Sequence, residues 1–373
     1  MKRVVLVTSS MKMGGLNSVI EEHAQLFLSA GLDVSVVLLR RGGEVPSGLQ
    51  GRVHYMPKID SNSVFYLRIL YALFRPFLRG IGNLFAGRRN ARIFHEFLEE
   101  SGVEADDLVA IHGFRTIAAL RRVSHPRLVK VMHELQSMHV GWASGWMRRL
   151  RFRLIRNCYQ RGRLVAVSEA VKRDFRDVVG GAQQVTVISN GIDVQALWLL
   201  AKESETLALS RPYIVSVGRL VDVKGFDILI NAYAASSARE SHDLVIVGEG
   251  KQRPQLEALV CELGLEHRVH LTGYVKPPFG IVKNAALYVG ASFHEGFGLA
   301  LLEAMCLGVP VLASRVSGFE EIMENYPDAL FRAGDQDDLR RHLDAAMMRC
   351  PGQNQCIPTR YNFSEILQSY LRL

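Results

Sequence analysis

The 373-residue chain contains no run of 18 apolar residues, so nothing in it reads as a membrane-spanning helix. The apolar run behind Lys2-Arg3 extends only from Val4 to Val7, too short for the core of a secretory signal, and reads as a first buried strand. The five cysteines, Cys158, Cys261, Cys306, Cys350 and Cys356, are scattered and odd in number, which argues against a disulfide framework and for a reducing compartment. Cys350 and Cys356 are close enough for a metal pair, but no second Cys or His pair completes a zinc site. There is no G-x-G-x-x-G fingerprint, which counts against a dinucleotide cofactor, and no solenoid repeat or low-complexity tract. What remains is a globular composition, 48% apolar and 8% aromatic in 41.7 kDa, enough to bury two cores.

Acids are missing from two stretches, residues 61–95 and 135–168. The first 200 residues hold 28 Lys and Arg against 16 Asp and Glu, while the remaining 173 hold 17 against 21, so the net charge of +8 belongs to the first half. Between Val64 and Arg92, Arg68, Arg75, Arg79, Arg88, Arg89 and Arg92 alternate with Phe65, Tyr66, Tyr71, Phe74, Phe77 and Phe85. Arg148, Arg149, Arg151, Arg153, Arg156, Arg161 and Arg163 surround Trp146, Leu150, Phe152, Leu154 and Ile155. Arginine mixed with rings and aliphatics suits an anionic lipid interface, a solvated face being the plainer alternative. No base-reading motif or stacking platform accompanies the charge, so nucleic acid is not expected as a partner.

Strand and helix signals alternate along the chain. Val4 to Thr8, a glycine pair, an apolar-periodic stretch from Leu16 to Leu28 and a strand from Val34 to Leu39 make one βαβ unit. Further strands are expected at Leu108 to Ile111, Leu128 to Met132, Leu164 to Val167 and Val185 to Ile188. The pattern restarts at Tyr213 to Val217, with a helix from Phe226 and strands at Leu244 to Val247, Arg268 to Leu271, Leu287 to Gly290 and Val309 to Ala313. The class is α/β: two doubly wound, Rossmann-like domains facing each other across a cleft, residues 1–194 and 195–357, with a seam in the segment between Asp193 and Pro212.

Open α/β sheets bind ligands beyond the carboxyl ends of their strands, so motifs there carry the functional reading. Glu295 to Glu303, EGFGLALLE, sets two carboxylates around a helix start, with Gly296 and Gly298 leaving the backbone bare. Glu295 falls on the loop and Glu303 about two turns inside the helix. Exposed amides attract phosphate and carboxylates accept hydrogen bonds from hydroxyls, a combination suited to a sugar nucleotide. Gly218-Arg219 and Lys224-Gly225 follow a strand end, where a planar guanidinium and a point charge can neutralise a diphosphate; a solvated turn is the bland alternative. Gly14-Gly15, Gly248-Glu249-Gly250 and His133-Glu134 occupy similar positions. Tight turns explain the glycines and a satisfied structural histidine explains His133 nearly as well. Ser168 and Asn190-Gly191-Ile192-Asp193 read equally well as a helix cap and a turn.

This series, from Gly14-Gly15 through VSEAVK around Ser168, Asn190-Gly191-Ile192-Asp193, Gly218-Arg219, Lys224-Gly225 and Gly248-Glu249-Gly250 to EGFGLALLEAM, resembles the retaining glycosyltransferases of family 4, which have the GT-B fold. The resemblance implies that Arg219 and Lys224 hold a donor diphosphate, Glu295 contacts the hexose, Glu303 the ribose, and His133 lies near the transferred sugar. Glu295, His133, Arg219 and Lys224 are then the catalytic candidates. Gly15, Gly218, Gly248, Gly250, Gly296, Phe297, Gly298, Leu299 and Glu303 complete the donor site, together with Arg219, Lys224 and Glu295. It also implies that the C-terminal segment, residues 358–373, returns to the first domain. The chain departs from the family before Glu295, where Gly290-Ala291-Ser292-Phe293-His294 lacks a proline that many relatives have, and after Gly15, where Leu16-Asn17-Ser18-Val19 replaces an acidic start.

The activity so implied is metal-independent, cofactor-free transfer of a hexosyl unit, with UDP-hexose as the favoured donor and retention at the anomeric carbon. The acceptor expected from the basic first half is a membrane-associated saccharide or glycolipid, in lipopolysaccharide or surface polysaccharide synthesis. The protein is then placed in the cytoplasm, on the inner face of the cytoplasmic membrane. An NAD-dependent two-domain dehydrogenase and a non-catalytic nucleotide-sugar-binding protein are the alternatives.

Overall fold

The structure is a computed structural model and describes residues 1–11, 15–43, 45–56, 87–140, 145–180, 184–348 and 359–373. Most of the basic segment read at Val64 to Arg92, Gly14 of the glycine pair, and Cys350 and Cys356 lie outside these residues. Contacts divide the chain into two units, Met1–Asn190 with Phe363–Leu373, and Gly191–Asn362.

The first unit is built on a parallel sheet of β1 (Arg3–Thr8), β2 (Asp33–Leu38), β3 (Val53–Tyr55), β4 (Leu108–His112), β5 (Leu128–Met132), β6 (Arg163–Ala166) and β7 (Val185–Val187), in the order β3-β2-β1-β4-β5-β6-β7. β4 and β5 are buried along their whole length, as parallel strands covered on both faces must be, which is why they stand out as unbroken apolar runs. β3 is a three-residue edge strand with no fully buried residue, so it left no such signal. The helix Gly15–Ser29 buries Val19, Ile20, His23, Ala24, Leu26 and Phe27. It is followed by Gly31 at φ +76°, a left-handed position that favours glycine. The C-terminal helix Phe363–Leu371 buries Ile366 and Tyr370, and the Tyr370 ring meets Phe27 edge-on at 5.6 Å.

The second unit repeats the plan with β8 (Tyr213–Val217), β9 (Asp243–Val247), β10 (Val269–Gly273), β11 (Leu287–Gly290), β12 (Val311–Ser314) and β13 (Leu330–Phe331) in the order β10-β9-β8-β11-β12-β13, all parallel. Its core gathers Ile214, Phe226, Leu229, Tyr233, Ile246 and Val289. In both units the strand order reverses beside the first strand, between β1 and β4 and between β8 and β11. Ligands of doubly wound sheets bind at such reversals because the connecting loops leave in opposite directions and open a crevice.

The division falls at Asn190–Gly191, ahead of the polar seam expected after Asp193. That segment begins with a helix, Val194–Glu203, burying Leu197 and Ala201. Asp193 caps it, its Oδ1 accepting the Ala196 amide at 3.0 Å, and Ser168 caps Glu169–Val179 by accepting from the Val171 amide at 3.0 Å. The capping alternatives for both residues are what the structure contains. Among the described residues no helix is long and apolar enough to cross a membrane.

Candidate active site

The reversal between β8 and β11 gathers the residues singled out in the second half. β8 ends at Val217 and runs into Gly218-Arg219; β11 ends at Gly290 and runs into the loop that carries Glu295. Two backbone contacts draw these loops together. The Phe293 amide donates to the Val223 carbonyl at 2.8 Å, and Gly225, at φ +61°, lies so close to the Ala291 carbonyl oxygen that a Cβ would overlap it. Gly225 is therefore required twice, for its left-handed backbone and for the close approach. The outcome is a direct ion pair, Lys224 Nζ donating to Glu295 Oε2 at 2.7 Å, with Ser292 Oγ donating to the same oxygen at 3.2 Å. Both partners keep some access to solvent, 24% and 19% of their side-chain surface.

Gly248 and Gly250 have a packing reason. A Cβ on Gly248 would strike the Gly218 carbonyl and one on Gly250 the Leu220 carbonyl. Gly218 and Leu220 donate their amides to Val247 and Glu249 at 3.0 Å each. The two loops thus form one bare platform, with the Lys224 chain lying in ordinary contact range over Gly218, 3.5 Å from where its Cβ would be. Arg219 stands exposed on it, and no described residue pairs with its guanidinium.

The second acidic residue sits differently. The helix after the glycines is Leu299–Cys306, so Glu303 is just over one turn inside it, not two. Gly298 at φ +107° precedes the helix and contributes no capping side chain, leaving first-turn amides as donors. Glu303 is half-buried, its carboxyl group has no hydrogen-bond or ion-pair partner among the described residues, and burial pushes that carboxyl up to about 7. Tyr288, buried on β11, has its phenol pushed up by burial and then by Glu295 and Glu303, which places both carboxylates near one ring. Because folded Glu303 holds its proton more tightly than the unfolded chain, its contribution to stability is lost as pH rises from about 4.5 to about 7. Glu303→Gln should therefore gain about 2–3 kcal/mol over wild type at pH 8 and nothing at pH 4.5. Urea midpoints at the two pH values measure this, and an equal offset at both would refute the assignment.

The remaining loop residues are seated tightly. Gly318 lies under the loop, where a Cβ would press on the Glu295 carbonyl at 2.6 Å and the Phe297 amide at 2.9 Å, and the Phe319 ring fills the space behind Gly298. Gly296 and Leu299 are half-buried, and Phe297 is buried. Sequence reasoning did not single out Ser292, Tyr288, Gly318 or Phe319. Only adjacency to Glu295 marks Ser292, and the others depend on packing between distant segments.

The sequence reading takes a D-x-D triplet to be absent, but Asp335-Gln336-Asp337 has that spacing. Asp335 Oδ1 accepts the Asp338 amide at 2.9 Å and its Oδ2 pairs with Arg332 at 2.8 Å, so this acid caps the helix Gln336–Met348. No group of three potential metal ligands comes together among the described residues.

Gly15 and His133 belong to the first unit. Gly15 opens its helix with nothing within 4 Å of a would-be Cβ. His133 follows β5, and its Nε2 lies 3.0 Å from Nδ1 of His112, which ends β4. His133 Nδ1 is buried without a partner, as are His112 Nε2 and both nitrogens of His23. His23 meets His112 edge-on at 5.5 Å and Tyr370 at 5.3 Å. Burial holds all three rings neutral, with the neighbouring histidines adding to it for His23 and His112; His23 is pushed down to about 3 and His133, by burial against the opposing Glu134 charge, to about 4. His112, left unassigned by the sequence, is the residue that holds His133.

Two family models match nearly end to end along the chain: Glycosyltransferase Family 4 over residues 13–196 and Glycosyl transferases group 1 over residues 200–362. The chain belongs to glycosyltransferase family 4. This glycosyltransferase-family chain is 31% identical over 218 residues to the lipopolysaccharide core biosynthesis glycosyltransferase LpsD of Rhizobium meliloti, covering 56% of the chain and 62% of LpsD. It is 28% identical over 239 residues to an uncharacterized glycosyltransferase of Methanocaldococcus jannaschii, covering 60% of the chain and 61% of that protein. The matched segments thus span about three fifths of these relatives' length. Among solved structures, HepE of Anabaena in complex with UDP-glucose superposes with a TM-score of 0.68 at 19% identity, over 99% of the chain and 98% of HepE. The architecture is GT-B, with two Rossmann-like domains.

Proposed function

We propose that the protein is a retaining, metal-independent glycosyltransferase that moves a hexosyl unit from a nucleoside diphosphate sugar, UDP-hexose first, to a saccharide or glycolipid acceptor in lipopolysaccharide or surface polysaccharide synthesis. The observation carrying this reading is the Lys224–Glu295 pair beside the unpartnered Arg219, at a strand-order reversal and next to a helix start without a capping side chain. Arg219, Lys224 and the first-turn amides are suited to a diphosphate whose charge grows as the glycosidic bond lengthens, so they stabilise the transition state more than the ground state. Glu295, with one oxygen engaged by Lys224 and Ser292, accepts hydrogen bonds from sugar hydroxyls, and Glu303 accepts from the ribose. The departing phosphate takes the acceptor's proton. The unpartnered Nδ1 of His133 is the atom through which this ring would meet a sugar hydroxyl while Nε2 stays with His112. The relatedness to LpsD, named for lipopolysaccharide core biosynthesis, supports the pathway, and the fold shared with HepE, solved with UDP-glucose, supports the donor class.

The first unit would take the acceptor. Its helix Gly145–Cys158 carries exposed Arg148, Arg149, Arg153 and Arg156 and no acid, with the Arg148 guanidinium 5.3 Å from the centre of the Phe152 ring. This pattern supports attachment to an anionic membrane face, each arginine near the surface contributing about 1 kcal/mol. Sedimentation with anionic vesicles should bring down wild type but not a variant with Arg148, Arg149, Arg151 and Arg153 changed to Ser. Equal partitioning would remove the membrane from the proposal.

The deciding experiment incubates the protein with UDP- and GDP-sugars in the presence of chelator, with water as the acceptor, and follows release of the nucleoside diphosphate, with the anomer first released read by NMR before it mutarotates. Thermal shifts with the same panel report binding by mass action. Absence of both binding and release across the panel would overturn the reading; binding without release would leave a sugar-nucleotide-binding protein.

A further inference from the structure

The chain passes between its two units twice, at Asn190–Gly191 and at Asn362–Phe363, and both crossings are tied down within the second unit. The Ile192 amide donates to the Tyr361 carbonyl at 3.0 Å, and Ile192 and Asn362 form a parallel bridge. Tyr361 is 2% exposed. Its ring meets Phe297 edge-on, centroids 5.6 Å apart and planes at 78°. On its other side the Arg360 guanidinium lies 5.0 Å from the ring centre, while Arg360 Nη1 donates to Glu324 at 2.8 Å and Nη2 to the Glu321 carbonyl at 2.7 Å. The Tyr361 hydroxyl lies 3.5 Å from the Glu321 carbonyl and also meets the Arg360 side chain, whereas Phe297 is met by the ring.

Phe297 is the one large side chain between Gly296 and Gly298, two residues that give the backbone freedom. A contact on Phe297 therefore adds a further hold on this loop, beside the Lys224 and Ser292 bonds to the Glu295 carboxylate and the packing of Gly318 under its backbone. We propose that Tyr361 is a positioning residue: its ring holds Phe297, and so the loop carrying Glu295, while its carbonyl ties that loop to the outgoing crossing of the chain. Occupation of the loop and the conformation of the crossing are thereby linked through one side chain. The functional half of this proposal rests on reading the loop as the donor site; the structural half does not.

Hydrogen exchange on the protein without ligand tests the structural half. In Tyr361→Leu, amides of residues 296–299 and of Ile192 should exchange about tenfold faster. In Leu343→Ala, which removes a buried core side chain of the same unit, they should stay at wild-type rates after correction for the change in melting temperature. Tyr361→Phe should restore protection, and Phe297→Leu should reproduce the loss from the loop side. Kinetics test the functional half: kcat/KM for the sugar nucleotide should fall about tenfold in Tyr361→Leu, return to within about twofold of wild type in Tyr361→Phe, and stay there in Leu343→Ala. Equal exchange in Tyr361→Leu and Leu343→Ala, or no rescue by phenylalanine, overturns the proposal. Faster exchange in a protein whose wild type ignores every sugar nucleotide would overturn the donor-site reading and keep the anchoring role.

Discussion

Lys224→Ala is expected to lower turnover by about 10²–10³-fold, the usual loss when one preorganised group facing developing charge is removed. Stability should change far less. The pair it forms with Glu295 is partly solvated on both sides, so its loss belongs between the near-zero value of exposed pairs and that of buried ones, about 1–2 kcal/mol. Glu295→Gln separates the two roles of the pair. The amide no longer holds Lys224 as a counter-ion, so the ammonium is released to a diphosphate, and the free nucleotide diphosphate should bind at least as tightly as to wild type. Turnover should still drop by about 10²-fold, since a neutral side chain accepts hydroxyl hydrogen bonds more weakly than a carboxylate. Calorimetry with UDP and GDP, set beside steady-state rates, measures both. A Lys224→Ala enzyme with wild-type turnover, or a Glu295→Gln protein that loses nucleotide affinity together with turnover, would contradict the arrangement.

Acid should unfold the first unit through its histidines. The unfolded value of each ring is near 6.5 and the folded values of His23 and His133 are about 3 and about 4, so the folded state binds fewer protons than the unfolded chain in between. The stability they contribute is fully present above about pH 6.5 and is lost as pH falls toward 4. At 1.36 kcal/mol per unit, each of these two rings removes about 3 kcal/mol by pH 4. His112 acts in the same direction, lowered by burial and by its two histidine neighbours. Carboxylates lowered in the fold, such as Asp107 with its three backbone donors, share the sign of this dependence, so wild type alone does not isolate the histidines. His23→Phe does, since it puts a ring that cannot charge among Phe27, His112 and Tyr370. The difference in unfolding free energy between pH 7 and pH 4.5 should shrink by about 2 kcal/mol in this variant, read from urea titrations at each pH. An unchanged difference would show that His23 is not the buried neutral ring described.

Strand and helix signals placed β1, β5, β8, β11 and the Phe226 helix within a residue or two of where they lie, because parallel strands covered on both faces need continuous apolar runs and leave that mark locally. β3 and β13 escaped notice: three and two residues at sheet edges do not need such a run. The helix Val194–Glu203 falls in the segment expected as a seam: it buries only Leu197 and Ala201 and leaves Trp198, Leu199 and Leu200 exposed, although the Trp198 indole donates to the Cys306 carbonyl at 2.9 Å.

Composition and spacing were enough to establish the α/β class, the two doubly wound sheets and the series of glycines and charges at strand ends, since each follows from burial or backbone geometry within a few residues. That Lys224 pairs with Glu295 across 71 positions, that Gly248 and Gly250 serve the Gly218–Leu220 turn, that His112 holds His133, and that Tyr361 anchors Phe297 came from the folded chain alone. Those contacts join segments brought side by side by strand order, and no local propensity encodes which distant side chain will stand opposite.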